Sequence, residues 1–400
     1  MRILQIVPSI SLVYGGPSQM VVGLSEALAK AGVEVTILTT DSNGDTGQTP
    51  LDVPLNVPIA QDGYEICYFR CSPFRRYKFS LDLLKWLSRH HQDYDLAHIH
   101  ALFSPVSSAA ARVARSHHLP YILRPLGTLD PADLQKKRLL KTLYAAFLER
   151  PNLAGAAAIH FTSDQEAKVS ERFGVVTRDL VLPLGVKLPK PAATDIRAKF
   201  GIPALRPMLL FMSRIDPKKG LDLLIPALET LIAEDQEFQF VLAGGNPQNP
   251  DYETKIRDRI RHSPLNAHTT IVGFITGGDK ADLLNAADLF VLPSHYENFG
   301  IAVAEAMSVG TPVVVSDQVH IWKGIQQAEA GWINACNVSS LTDALRLALS
   351  DPHEQQRRGT NAHRYAHENF SWDAIAHQLI REYEHIAKPT LTPPEGQKEP

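Results

Sequence analysis

The residues with chemistry to offer begin with Glu297 and Glu305, eight positions apart in Ser294-His295-Tyr296-Glu297-Asn298-Phe299-Gly300-Ile301-Ala302-Val303-Ala304-Glu305-Ala306-Met307. The apolar run from Leu289 to Pro293 predicts a buried strand, and the small residues after Phe299 or Gly300 predict a helix. Glu297 then lies in the loop at the strand's carboxyl end, and Glu305 about a turn and a half into the helix. Unpaired N–H groups at a helix start attract anions, and open α/β sheets bind ligands at the carboxyl ends of their strands. A nucleotide carrying a sugar suits this arrangement. Glu305 can accept both hydroxyls of a ribose, while Glu297 and the amides of Phe299 and Gly300 can reach the sugar beyond the phosphates, with Asn298 and Ile301 at the same turn. Spacing alone leaves open a surface turn and a solvated helix face.

A second pair of chemically useful groups lies in Ser213-Arg214-Ile215-Asp216-Pro217-Lys218-Lys219-Gly220, between the apolar strand 207–212 and a helix starting near Leu221. Arg214 and Lys219 can bracket a pyrophosphate, the guanidinium as a planar fork and the ammonium as a point charge. Solvated loop cations are the other reading of the same residues.

These groups need a scaffold, and the chain supplies alternating strand and helix patterns through both halves. Strands are predicted at 2–7, 33–38, 64–70, 96–100, 121–127, 156–161 and 180–182, and again at 207–212, 238–243, 270–275, 289–293 and 311–316. The segment 41–62, rich in Asn, Gly, Gln and Pro, is expected to be a flexible loop. The fold class that follows is α/β, two Rossmann-like doubly wound parallel-sheet domains facing a cleft. Pro183–Pro191 has no periodicity and marks the boundary, giving a first domain at 1–186, a second at 187–372 and a polar, proline-rich tail at 389–400 expected to be disordered.

The chain of 400 residues is long enough for two such cores, and 44% hydrophobic against 21% charged residues describes a globular protein. A net charge of −3 argues against binding nucleic acid through bulk electrostatics. Cys67, Cys71 and Cys336 are odd in number and lack paired metal-ligand spacing, so they are expected to be reduced thiols. No apolar run approaches the length needed to cross a bilayer, and a cytoplasmic location is expected.

Other positions are candidates. Gly15 and Gly16 follow the first strand, although the G-x-G-x-x-G spacing of dinucleotide sites is absent. Of His98 and His100, the first is taken as buried and the second as facing the cleft edge. Arg124 ends the next strand and offers a hydrogen-bonding charge or a structural role. Asp93-Tyr94-Asp95 has carboxylate spacing known from metal sites but falls at a strand entry, and no metal is assigned. The patch Phe74-Arg75-Arg76-Tyr77-Lys78-Phe79 is a solvated loop anchored by aromatics or an acceptor or membrane contact. A helix expected at 132–149 sets Lys136, Lys137, Arg138 and Lys141 against Leu139, Leu140, Leu143 and Phe147. Such a segment can be a solvated face or a peripheral contact with anionic lipid.

The Glu297–Met307 phrase, with Phe-Gly after the first Glu and Glu-Ala-Met at the second, resembles the E-x7-E signature of retaining glycosyltransferases of the GT-B fold, in particular glycosyltransferase family four. Arg214, Lys219 and Gly220 match that family's R-x4-K-G phrase, and His98-Ile99-His100 its H-x-H phrase. The resemblance covers nearly the whole chain and is strongest from Arg214 to Asp317. It implies a retaining transfer of a sugar from a nucleotide diphosphate sugar to an acceptor hydroxyl, by a front-face mechanism needing no metal or other cofactor. Arg214 and Lys219 would hold the leaving diphosphate, Glu297 would orient the sugar, Gly273 and Phe274 would receive the base, Gly15 and Gly16 would approach donor and acceptor, and His100 would contact a sugar. It also implies that the last helix, 373–388, returns to the first domain. UDP-glucose is the donor the family suggests, with GDP-mannose-type donors as the alternative. A growing saccharide, free or lipid-linked, is the acceptor, as in polysaccharide assembly. Leu126 stands where many members carry a donor-contacting histidine. Two other readings share the fold: a nucleotide-sugar 2-epimerase, and a non-catalytic nucleotide-sugar sensor.

Overall fold

The computed structural model describes residues 1–14, 16–44, 48–72, 77–135, 138–187 and 190–387. Gly15, Phe74, Arg75, Arg76, Lys136, Lys137 and the tail 389–400 lie outside them. The described chain forms two compact units, one of 1–161, 169–182 and 373 onward, the other of 162–168 and 183–372.

In the first unit the strands are β1 (Arg2–Ile6), β2 (Glu34–Thr40), β3 (Pro58–Ala60), β4 (Glu65–Phe69), β5 (Leu96–His100), β6 (Tyr121–Arg124), β7 (Ala158–Phe161) and β8 (Asp179–Val181). Among the described residues they make one sheet in the order β3-β4-β2-β1-β5-β6-β7-β8. All neighbours are parallel except β3, which pairs antiparallel with β4, Ile59 opposite Ile66. Part of the segment expected to be a flexible loop is therefore an edge strand. Its proline sits where an edge position leaves the missing N–H unused.

The central strands are buried on both faces, as parallel sheets covered by helices require. Their interior is not purely apolar. His98, His100, His160, Arg124, Gln5 and Tyr383 are all buried. The expectation that His98 and His100 face opposite ways is corrected: residues two apart on a strand share a face, and the two rings stack with centroids 4.6 Å apart. His100 is enclosed in the core.

One directional chain of hydrogen bonds runs through this cluster. His160 Nε2–H donates to the Leu182 carbonyl at 3.0 Å, which leaves His160 Nδ1 to accept from His98 Nε2–H at 3.3 Å. His98 Nδ1 then accepts from the Tyr383 hydroxyl at 2.7 Å, and that hydroxyl accepts from Gln5 Nε2 at 3.2 Å. Gln5 Oε1 accepts from His100 Nε2–H at 2.7 Å. Each proton has one place, and all three rings are neutral. Burial holds the imidazoles well below their usual range, His160 down to about 3, and the nearby Arg124 guanidinium pushes the same way. Tyr383 belongs to the last helix, Trp372–Ala387, so this network fastens that helix to β1 and β5.

Of the helix expected at 132–149, the described residues show Pro131–Leu134 and, from Arg138, a helix that runs on through Tyr144, a wider turn at Ala145–Glu149, and Arg150–Gly155. The wider turn leaves Glu149 buried, where it accepts from Ser108 Oγ at 2.6 Å and from the Phe103 amide at 2.7 Å. Burial pushes its carboxyl up against the pull of those donors. Leu140, Leu143 and Phe147 are exposed rather than packed. No helix among the described residues is long and apolar enough to cross a membrane.

The second unit carries β9 (Met208–Met212), β10 (Gln239–Ala243), β11 (Thr269–Gly273), β12 (Leu289–Leu292), β13 (Val313–Ser316) and β14 (Gly331–Asn334). Among the described residues these form a wholly parallel sheet in the order β11-β10-β9-β12-β13-β14. The order reverses between β9 and β12. Both loops that carry the candidate chemistry leave the carboxyl ends of those two strands, at the switch point where doubly wound sheets open to ligands.

Candidate active site

The loop after β9 is held by backbone. Ser213 N–H donates to the Ala243 carbonyl at 3.1 Å, and the Asn246 side-chain amide donates to the Ile215 carbonyl at 3.0 Å. Asp216 caps the following turn by accepting from the Lys218 amide at 3.0 Å. Gly220 takes φ +75 and passes so close to the Pro293 carbonyl that a Cβ there would collide with it. That close approach brings the β9 loop onto the β12 loop, and His295 N–H bonds the Lys218 carbonyl across the junction at 2.8 Å.

The β12 loop is pinned from the other side. Glu297 N–H donates to the Gln318 carbonyl at 3.1 Å, and Glu297 accepts at its own carbonyl from His320 N–H at 3.0 Å. With its backbone fixed, the Glu297 carboxylate meets the Lys219 ammonium in a direct hydrogen-bonded ion pair, both groups largely buried. Arg214, on the same loop as Lys219, is exposed and has no ion pair or hydrogen bond among the described residues. Of these two loop cations, Lys219 is engaged and Arg214 is uncommitted.

Beyond Glu297 the chain turns sharply into the helix Ile301–Ser308. Gly300 precedes it with φ +80, a conformation that costs an L-residue about 1–2 kcal/mol. The first-turn amides of Ile301 and Ala302 have no intrahelical acceptor, and no side chain among the described residues caps this helix start. The Phe299 ring is buried against Phe370 with centroids 5.2 Å apart, leaving only its backbone for a ligand. Asn298 Oδ1 is buried with no hydrogen-bond partner among the described residues, an acceptor awaiting a donor.

Glu305 is buried and already paired, accepting from Lys280 Nζ at 2.5 Å. Burial pushes its carboxyl up, and Lys280 opposes that shift. Gly273 ends β11 with φ +74, and its carbonyl accepts from Gly244 N–H at 2.7 Å, while the Phe274 ring is exposed. Arg214, Lys219, Gly273, Phe274, Asn298, Glu297, Phe299, Gly300, Ile301 and Glu305 therefore all belong to the second unit.

Gly16, His100 and Arg124 belong to the first. Gly16 begins the helix Gly16–Lys30, and Arg124 is buried with its Nη1 at 2.6 Å from Met20 Sδ. Asp93 and Asp95 are separately engaged, with His90 at 3.2 Å and with the Arg2 amide at 2.7 Å. Among the described residues no cluster of His, Cys, Asp and Glu is arranged to hold a metal ion. Sequence reasoning did not find Lys280, one helix lysine among many, and it named Gly220 only as the last member of the R-x4-K-G phrase, without the close approach to Pro293.

Two parallel α/β units, with paired cations and carboxylates at the switch point of the second, define a GT-B glycosyltransferase. Family models agree over both halves: "Glycosyl transferase 4-like domain" matches residues 15–185 and "Glycosyl transferases group 1" matches 192–365. The chain belongs to glycosyltransferase family four. A D-inositol 3-phosphate glycosyltransferase of Kineococcus radiotolerans is 26% identical, with 92% of this chain and 90% of that protein aligned. Among solved structures, sucrose-phosphate synthase from Thermosynechococcus elongatus matches with a TM-score of 0.78 and 23% identity over 96% of this chain and 98% of that one. The Anabaena protein HepE in complex with UDP-glucose matches with a TM-score of 0.74 and 18% identity over 96% of this chain and all of its own, 100%.

Proposed function

We propose that this glycosyltransferase moves glucose from UDP-glucose to a saccharide or lipid-linked saccharide acceptor in polysaccharide assembly, with retention of the anomeric configuration. The observation that carries the reading is the Lys219–Glu297 pair beside an uncommitted Arg214 at an uncapped helix start. A diphosphate entering there meets two cations and the first-turn amides, enough fixed positive charge to stabilise the leaving group without a metal. Lys219 then passes from Glu297 to the phosphate, and Glu297 is released to orient the sugar and stabilise positive charge at its reacting carbon. The acceptor hydroxyl attacks from the face the nucleotide leaves, and the departing diphosphate takes its proton. Glu305 receives the ribose hydroxyls, and the exposed Phe274 with the Gly273 backbone receives the base. His100 and Arg124, buried at the carboxyl ends of β5 and β6, shape the acceptor side from beneath. The UDP-glucose bound by the structurally similar HepE supports the choice of donor.

The test is thermal stabilisation of the purified protein by UDP-, GDP- and ADP-sugars and the free nucleotides, with and without EDTA. A shift confined to uridine compounds, unchanged by EDTA and lost in Arg214→Ala, is the expected result. A shift confined to GDP-sugars replaces the donor, and an inverted product anomer would sink the front-face mechanism.

A further inference from the structure

Cys336, His295 and Asp222 form a hydrogen-bonded line that the transfer chemistry does not use. His295 Nε2 lies 2.9 Å from both carboxylate oxygens of Asp222, and its Nδ1 lies 3.3 Å from Cys336 Sγ. An Nε2–H donated to Asp222 leaves Nδ1 bare, so the imidazole faces the thiol as an acceptor. This is the arrangement of a nucleophile, a base and a group that orients the base. Asp222 lies in the first turn of the helix after the Lys219 loop, His295 is two residues before Glu297, and Cys336 follows β14, so three separate elements converge here. Cys336 and His295 are partly open to solvent, while Cys67 and Cys71 are buried. Cys336 and Asp222 meet opposite edges of the ring, so the groups do not share a focus where an ion could sit.

We propose that Cys336 is a histidine-activated thiol, a site of reversible mixed-disulfide formation with low-molecular-weight disulfides. The thiol passes its proton to His295 Nδ1, and the thiolate attacks one sulfur of a disulfide RSSR. The S–S bond of RSSR breaks as the Cys336–sulfur bond forms, and the leaving thiolate takes the proton back from His295 to depart as RSH. Partial burial and the Asp317 and Asp222 carboxylates hold the thiol up. Proton transfer from the thiol to His295 converts the two neutral groups into a thiolate–imidazolium ion pair whose imidazolium Asp222 faces directly. The site stands on its own geometry and does not depend on the donor proposed above.

The test incubates the full-length chain with oxidised glutathione and follows adducts by intact mass and peptide mapping. The expected result is one adduct, at Cys336, with Cys67 and Cys71 reacting only after denaturation. His295→Ala, or His295→Gln if the first variant does not fold, slows the reaction at neutral pH by at least roughly tenfold and moves its pH profile upward, to that of a thiol held up by burial and carboxylates. Equal reaction at Cys67 or Cys71 in the folded chain, or a His295 variant with unchanged rate and pH profile, overturns the assignment.

Discussion

Lys219 and Glu297 are bound to each other across 78 positions of sequence, on loops that leave two adjacent strands, β9 and β12. Each group therefore enters a reaction already neutralised, and a diphosphate must compete with a carboxylate for the lysine. Lys219→Met removes one of the charges on the leaving group. It is expected to lower kcat by about 10²–10³, the cost of deleting one preorganised electrostatic contact. Steady-state kinetics check this, with the expectation that Glu297→Gln keeps nucleotide affinity while losing turnover.

Glu305→Ala leaves Lys280 without its carboxylate in a largely buried position. The change is expected to cost about 1–3 kcal/mol, as for a buried polar group stripped of its partner. It should also abolish stabilisation by UDP while Lys280→Met, which keeps Glu305, retains part of it. Urea unfolding of the free proteins and thermal shifts with UDP separate the two effects.

Gly300→Ala places a Cβ 3.2 Å from Val303 Cγ2, 3.3 Å from Val319 Cγ1 and 3.4 Å from Glu297 Cγ, at φ +80. Strain in this conformation is expected to lower stability by about 1–2 kcal/mol. Because one of the crowded atoms belongs to Glu297, activity should fall by more than the lost stability explains. A variant as active as the parent removes Gly300 from the site.

The buried imidazoles make a prediction about pH. Their folded-state values lie below the ordinary histidine value, so between the two the unfolded chain binds more protons and stability falls as pH falls. Each histidine is expected to cost roughly 2 kcal/mol on going from pH 7 to pH 5. Denaturant unfolding at several pH values should show a dependence that flattens by about one proton in His160→Asn. No change in slope would mean that His160 titrates normally in the folded chain.

How far the sequence showed this is best judged residue by residue. Local patterns placed Arg214, Lys219 and Glu297 on loops at strand ends and Glu305 in the following helix, but left solvated readings open, and it was the resemblance to family four that singled these residues out. Their meeting was not visible, since β9 and β12 are separated in sequence by β10 and β11 yet adjacent in the sheet. Periodicity locates strands and says nothing of their lateral order. The same limit hid Lys280 beside Glu305 and Cys336 beside His295. His98 and His100 were legible in principle, because a period of two puts them on one face. What the pattern could not show is that Tyr383, from the far end of the chain, completes their hydrogen bonds. Residues 58–60 were masked by composition, proline and polar neighbours concealing an edge strand.

The Tyr383 contact sets the order in which the molecule can be finished during synthesis. Gln5 emerges from the ribosome first, and its partner lies 378 residues later. At ordinary elongation rates that is a wait on the order of 20–80 s. Residues 183–372, which make up most of the second unit, are all available before Tyr383 appears. The unit that begins earlier in the sequence is therefore the one whose core closes later, and a nascent chain stopped before Tyr383 leaves the His98–Gln5 interior unsealed.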